Sequence, residues 1–370
     1  MNIGIEGRNI SILGGVGLYV SQLIKNISTL RQDNNKILLF TRAKAFPPFD
    51  LKGINNIKLI ISNPLIWSQL SIPAALVKNN IDIYHGTKNT LPFITKKNTK
   101  YVVTIHDIVM FELPKLFTLT EKVYWFFSVK NAIKKANIII TVSKSTKQSI
   151  IKRYKAAENK IRVIPLGVDC HKFYPTSEKD KQKIKALYDL PEKYILYVGN
   201  KRPNKNLKRL LLAYKNLLTN YPRAPKLLLV IGIDSDKKFN LRSYIDKMSL
   251  SEKIVILENL EDDNLRQVYA AAELFIYPSL YEGFGLPVLE AMASGVPVIA
   301  SNTSSIKEVA GEAGYLINPY NTKDITDSLR VLIENDRLRQ ELIRKGLTRA
   351  KQFSWEKMAK ETYKIYQELS

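Results

Sequence analysis

This 370-residue chain is short of several things. Its one cysteine, Cys170, excludes an internal disulfide and fits a reducing compartment. No apolar run approaches the ~18 residues needed to cross a bilayer. The opening "MNIGIEGRNISILGGVG" has neither the basic n-region nor the apolar stretch of a signal peptide, and it carries Glu6 early. A cytoplasmic protein is therefore expected. Internal repeats and low-complexity segments are lacking too, and three histidines are all it has. What is there reads as globular, with 45% hydrophobic and 25% charged residues and enough length for two ordinary domains.

Acidic residues are the other shortage, 34 against 57 basic ones. It is lopsided: residues 1–168 hold 25 basic and 8 acidic side chains, a net of +17, and residues 169–370 hold 32 and 26, a net of +6. A first half charged in this way suggests a face for something anionic, whether nucleic acid, lipid head groups or a phosphorylated substrate; the alternative is a lysine-rich composition without a specific partner. A lysine-rich composition would load both halves alike.

Short Ile/Val-rich runs alternate with amphipathic ones. "MNIGI", "KILLF", "IKLII", "DIYHG", "YVVTIHD", "NIIITVS" and "IRVIPLG" read as strands, with helices at 16–30 and 118–136. The grammar then repeats with "YILYVG", "KLLLVIG", "KIVIL", "LFIYPS", "VPVIAS" and "GYLIN", and helices at 205–220, 262–272, 286–294 and 322–335. Strands buried on both faces and separated by helices imply parallel sheets of right-handed βαβ units. Two sets imply two doubly wound α/β domains, divided within "PLGVDCHKFYPTSEKD" at 165–180. Ligands of such sheets collect at the carboxyl ends of strands, so a cleft between the domains is the expected site.

Four stretches fall at such ends. "GGVG" at 14–17 opens the first helix, and reads as an anion cradle through Gly15 and Gly17 or as a plain tight turn. Val20 stands where a dinucleotide fingerprint needs a small residue, which argues against NAD. "TIHD" sets His106 and Asp107 just past a strand; His85 has a similar place, and His171 lies in the linker. "VGNKRPNKNL" carries Asn200, Arg202 and Lys205 between strand and helix, where cations suit a phosphate. In "SLYEGFGLPVLEAMASG", Gly283 and Gly285 let backbone approach a ligand, with Phe284 between them and Leu286 following. Pro287 fits a first helical turn. Glu282 and Glu290 flank this turn, placed to accept bonds from sugar hydroxyls while a pyrophosphate lies between them.

With seven residues between them, Glu282 and Glu290 resemble the Glu-x7-Glu signature of retaining glycosyltransferase family four, whose GT-B fold consists of two Rossmann-like domains. The glycine loop, "IHD", "ITVSKST", "IPLGVD", "GNKRPNKNL", "SSIKEVAGEAG" and "FSWEKMAKETYKIY" follow in the family's order. "GNKRPNKNL" with "IHD" is similar to the mannosyltransferase branch that builds bacterial surface polysaccharides. The resemblance implies an acceptor-binding domain at 1–168, a nucleotide-sugar-binding domain at 169–354 and a terminal helix, 355–370, returning to the first. It implies that Lys205 holds the donor phosphates, Glu290 the ribose, Glu282 and His106 the transferred sugar, and Gly15 a phosphate. Many members have arginine where Asn200 stands; either Arg202 supplies that charge or the phosphate has one cation fewer.

No cofactor is expected, and the donor substrate is a nucleoside-diphosphate sugar, GDP-mannose in preference to a UDP-sugar. Asp234 and Asp236 in "DSD" resemble a metal-holding Asp-x-Asp, but two lysines follow and GT-B enzymes use basic residues and helix ends instead, so no metal is expected. The expected activity is a metal-independent hexosyl transfer to a glycan or lipid-linked glycan. Rivals are a nucleotide-sugar epimerase of related fold and a nucleic-acid-binding protein. The first leaves the signature and terminal helix unexplained, and the second lacks regular basic and aromatic spacing. In "TLTEKVYWFFSVKNAIKKAN" at 118–137, four adjacent aromatics cannot all face one core. With the lysines there, they suggest docking on the anionic inner face of a membrane.

Overall fold

The computed structural model describes residues 1–10, 14–30, 35–42, 54–59, 63, 66–232, 239–258, 260 and 262–370. Asp234 and Asp236, and the end of the expected strand at 57–61, lie outside them. The chain divides into two compact units, Met1–Gly167 with Ser354–Ser370, and Val168–Phe353.

The first unit is a seven-stranded parallel sheet of β1 (Asn2–Glu6), β2 (Lys36–Arg42), β3 (Asn55–Leu59), β4 (Ile83–Gly86), β5 (Lys100–Ile105), β6 (Ile138–Thr141) and β7 (Ile161–Val163). Their order is β3-β2-β1-β4-β5-β6-β7. Sequence moves outward from β1 to β3, then returns to β4 on the other side, so the β1/β4 border is the topological switch point. Both faces of the central strands are covered, which is why Ile3, Ile5, Ile83, Val102, Val103 and Ile105 are all fully buried.

Helix Gly15–Leu30 covers one face, and helix Trp355–Leu369 packs along it. That terminal helix buries Trp355, Met358, Ala359, Thr362, Tyr363, Ile365 and Tyr366, a 3–4-residue spacing, and Ser354 caps it by accepting from the Lys357 N–H. The chain enters it beside Gly167. A Cβ there would lie 2.2 Å from the Trp355 nitrogen, so only glycine fits.

Helix Leu119–Lys135 starts with a reciprocal cap between Thr118 and Glu121. Trp125 and Phe126 are half-buried, Phe126 stacked on Tyr154, while Leu119, Val123, Tyr124 and Phe127 stay exposed. Lys130 and Lys134 extend this outer stripe.

The second unit repeats the plan with β8 (Tyr194–Gly199), β9 (Lys226–Ile231), β10 (Ile254–Glu258), β11 (Leu274–Tyr277), β12 (Val298–Ser301) and β13 (Gly314–Ile317). The order β10-β9-β8-β11-β12-β13 places its switch point between β8 and β11, where Ile195 pairs with Leu274 and Leu196 with Phe275. The expected helix at 205–220 begins only at Leu207; Pro203–Lys205 forms a 3-10 turn, and Asn206 takes a left-handed conformation (φ 60°). Gly199 ends β8. It is small because a Cβ would meet the Tyr197 hydroxyl at 2.6 Å.

Candidate functional site

Lys205 follows β8 and Glu282 follows β11, so the switch point of the second sheet brings them together. Lys205 Nζ lies 2.8 Å from Glu282 Oε1, and both side chains are 14% exposed. The same ammonium donates to the Tyr277 hydroxyl at 2.8 Å. Burial, and then the charge of Glu282, holds that phenol well above its ordinary pKa, so it stays protonated. The sequence alone points Lys205 at phosphate and gives no sign of its pairing with a glutamate. Asn200 and Arg202 lie in the loop before this turn, with the Arg202 N–H donating to Asn200 Oδ1 at 3.1 Å and the guanidinium exposed.

The glycine turn after Glu282 leads into helix Leu286–Ala293, with Pro287 in its first turn and Gly285 at φ 112° as its cap. That φ admits glycine and strains other residues. Two serines that open helix Ser304–Ala310, just after β12, shape the backbone. Ser304 Oγ accepts the Glu282 N–H at 3.1 Å, and Ser305 Oγ lies 2.8 Å from the carbonyl oxygens of both Glu282 and Phe284. In a trans peptide the N–H opposes the C=O. The serine's single hydroxyl proton is therefore shared between the two carbonyls, and the N–H groups of Gly283 and Gly285 each point away from it. N–H groups facing out of such a glycine turn are available to an anion. Ser304 itself stands at φ 51°, uncommon for a non-glycine residue.

Glu290 lies one turn further along, where Tyr269 donates its hydroxyl to Oε2 at 2.9 Å. Burial pushes the Tyr269 phenol far up, followed by the nearby Glu290 charge, so it acts as a fixed donor. Tyr269, Tyr277, Ser304 and Ser305 all escaped the sequence reading. The serines stand in "SSIKEVAGEAG", a matching stretch that named no role for them, and the tyrosines read as strand and helix hydrophobics.

His106, Gly15 and Gly17 belong to the other unit. Gly15 is exposed and Gly17 buried in the first turn of helix Gly15–Leu30, after Gly14 at φ 130°. His106 follows β5, with its N–H donating to Asn89 Oδ1 at 2.8 Å. Burial lowers its pKa to about 4, so the ring is neutral near pH 7. Nε2 lies 2.9 Å from the Thr87 carbonyl, hence Nε2 carries the proton and donates, and Nδ1 is left as an acceptor. Glu6, at the end of β1 and 3% exposed, accepts the Thr87 N–H at 3.1 Å and pairs with Arg8 at 3.0 Å. His85 sits within β4, its ring wholly enclosed; His171 lies in an exposed turn, bonded through its N–H to Asp169.

Two parallel-sheet units, each with polar side chains clustered at strand ends, fit the GT-B class of architecture. The comparisons agree. Residues 13–172 match the model of Glycosyltransferase Family 4, and residues 178–349 that of Glycosyl transferases group 1. O-antigen chain mannosyltransferase B of Escherichia coli is 31% identical over 96% of both chains. Among solved structures, sucrose-phosphate synthase of Thermosynechococcus elongatus superposes with a TM-score of 0.80 at 21% identity, covering 100% of this chain and 99% of that one. HepE of Anabaena in complex with UDP-glucose gives 0.78 at 18%, with full coverage of both. The chain belongs to this glycosyltransferase family, and it is a glycosyltransferase.

Proposed function

We propose that the chain transfers mannose from GDP-mannose to a glycan or lipid-linked glycan, retaining the anomeric configuration and using no metal ion. The observation that carries this reading is the pairing of Lys205 with Glu282 at the strand ends of one unit, with a glycine turn and then Glu290, held by Tyr269, directly after it. A 31%-identical relative named as an O-antigen mannosyltransferase supports the choice of sugar.

In this reading the bond from the anomeric carbon to the β-phosphate oxygen breaks. The acceptor oxygen bonds to the same face of that carbon, and its proton passes to the departing phosphate. Charge growing on the phosphate is met by Lys205 and the N–H groups of Gly283 and Gly285, with Leu286 opening the helix behind them. Arg202 adds charge from the neighbouring loop in place of the arginine missing at Asn200. Glu290, steadied by Tyr269, takes the ribose hydroxyls. Glu282 accepts from hydroxyls of the transferred sugar. In the first unit, His106 Nδ1 is the acceptor offered to a substrate hydroxyl, and Gly15 and Gly17 offer N–H groups to a phosphate.

The first unit docks on an anionic membrane surface through the outer stripe of helix Leu119–Lys135. Tyr124 and Phe127, 45% and 57% exposed, are followed one and two turns on by Lys130 and Lys134. No helix among the described residues is long and apolar enough to cross the membrane.

The test is calorimetry and product analysis with GDP-mannose, UDP-glucose and UDP-galactose. Tight binding and acceptor-dependent release of GDP from GDP-mannose are expected. Release of UDP alone, with no GDP-mannose turnover, would overturn the assignment of donor.

A further inference from the structure

His85 is a buried titratable side chain for which the transfer reaction has no use. It is 0% exposed, yet both ring nitrogens are engaged: Nδ1 lies 2.5 Å from the Tyr366 hydroxyl and Nε2 2.8 Å from Thr104 Oγ1. Thr104 Oγ1 lies in turn 2.9 Å from the Tyr19 hydroxyl. A neutral imidazole has one donor and one acceptor, so these four groups form a continuous chain that can run in either sense. Its far end is the terminal helix. Its near end is a ring that touches His106: Tyr19 meets the imidazole edge-on, centroids 4.9 Å apart and planes at 80°.

We propose that Tyr366 and His85 are positioning residues for His106: through Thr104 they fix the Tyr19 ring against which the imidazole packs, so the terminal helix sets where that imidazole stands. This rests on the reading of His106 as a residue of the transfer site. Two constraints then define the ring. The Thr87 carbonyl holds Nε2 and selects the tautomer. The Tyr19 edge limits rotation and aims Nδ1. An all-apolar filling of the same space would avoid desolvating four polar groups; what the polar chain supplies is one fixed arrangement of the rings. Tyr19 rides on helix Gly15–Leu30, along which the terminal helix packs, so contact and hydrogen bonds act in concert.

Three histidines make this testable in the full-length protein labelled with 15N at histidine. His85→Gln and His171→Gln assign the three imidazole spin systems. In Tyr366→Phe, the signals of both His85 and His106 should move and that of His171 should not. Turnover should fall about ten- to hundredfold, as for a misplaced catalytic group, at unchanged donor KM. Tyr19→Phe, which interrupts the chain without touching the terminal helix, should do the same. A response confined to His85, or wild-type turnover in Tyr366→Phe where His106→Gln is impaired, would overturn the proposal. Full turnover by His106→Gln would instead refute the role of His106, and the spectra alone would then decide whether the chain holds that ring.

Discussion

Replacing Ser305 with alanine removes one hydroxyl from a fully buried position. The carbonyls of Glu282 and Phe284, each 2.8 Å from that oxygen, lose the group that gathers them. A buried polar group left unsatisfied costs about 1–3 kcal/mol, and a unit of this size loses about 2–4 °C of melting temperature per kcal/mol. The binding effect is separate. With the carbonyls free to rotate, the N–H groups of Gly283 and Gly285 are no longer held facing away from Ser305. A hydrogen bond to a charged phosphate contributes about 1.5–3 kcal/mol, so loss of one weakens a nucleoside diphosphate by about 10- to 150-fold. Guanosine, which has no phosphate, should bind wild type and Ser305→Ala alike through Glu290. Calorimetry with GDP and guanosine on both proteins separates the terms. Equal weakening of the two ligands would show general damage to the unit, and unchanged GDP affinity would refute the cradle.

Glu290→Ala should weaken GDP itself, whereas Glu282→Ala should lower turnover with GDP affinity nearly unchanged; the reverse pattern by calorimetry and initial rates would exchange their roles. Lys205→Ala should lose about 10²–10³-fold in turnover while wild type keeps most of its rate in EDTA, and a strict need for manganese or magnesium would defeat this account of the leaving phosphate. His106 and His85 are held neutral by burial, with pKa values lowered to about 4 and about 3. The unfolded chain thus binds protons first: the stability they contribute is full above about pH 6.5 and declines as pH falls towards those values, by up to about 1.4 kcal/mol per pH unit for each. Urea midpoints at pH 7 and pH 5 should differ, and His85→Gln should reduce the difference; identical midpoints in wild type would contradict it. Sedimentation with anionic vesicles should need low salt and weaken when Lys130 and Lys134 become glutamate, and equal binding to neutral vesicles would remove the charge from the explanation.

Strand positions were legible because parallel strands buried on both faces leave unbroken Ile/Val runs. Helices with strong apolar stripes, such as Thr322–Glu334, were legible too. Helices Lys144–Tyr154 and Glu178–Leu187 were not: their lysine-rich sequences bury only two side chains each, too few for a readable period. At the site, Lys205, Glu282 and Glu290 could be named because each follows a strand in a short, recognisable stretch. Their partners could not. Tyr277 and Tyr269 present hydrophobic rings to the core and differ from phenylalanine by one oxygen, whose use depends on which glutamate or lysine folds beside it. Ser305 acts on carbonyls some twenty residues away, a relation no local pattern encodes.

The last helix belongs to the first unit, and this has a consequence for synthesis. Asn35 reaches Tyr363, and His85 reaches Tyr366, across nearly the whole chain. On the ribosome, the unit begun first must wait for residues 354–370 to emerge, with one flank of helix Gly15–Leu30 uncovered meanwhile. The second unit, continuous from 168 to 353, can complete its core earlier. The order of folding would then invert the order of translation, and a stalled or truncated chain would carry a finished second unit attached to an unfinished first one.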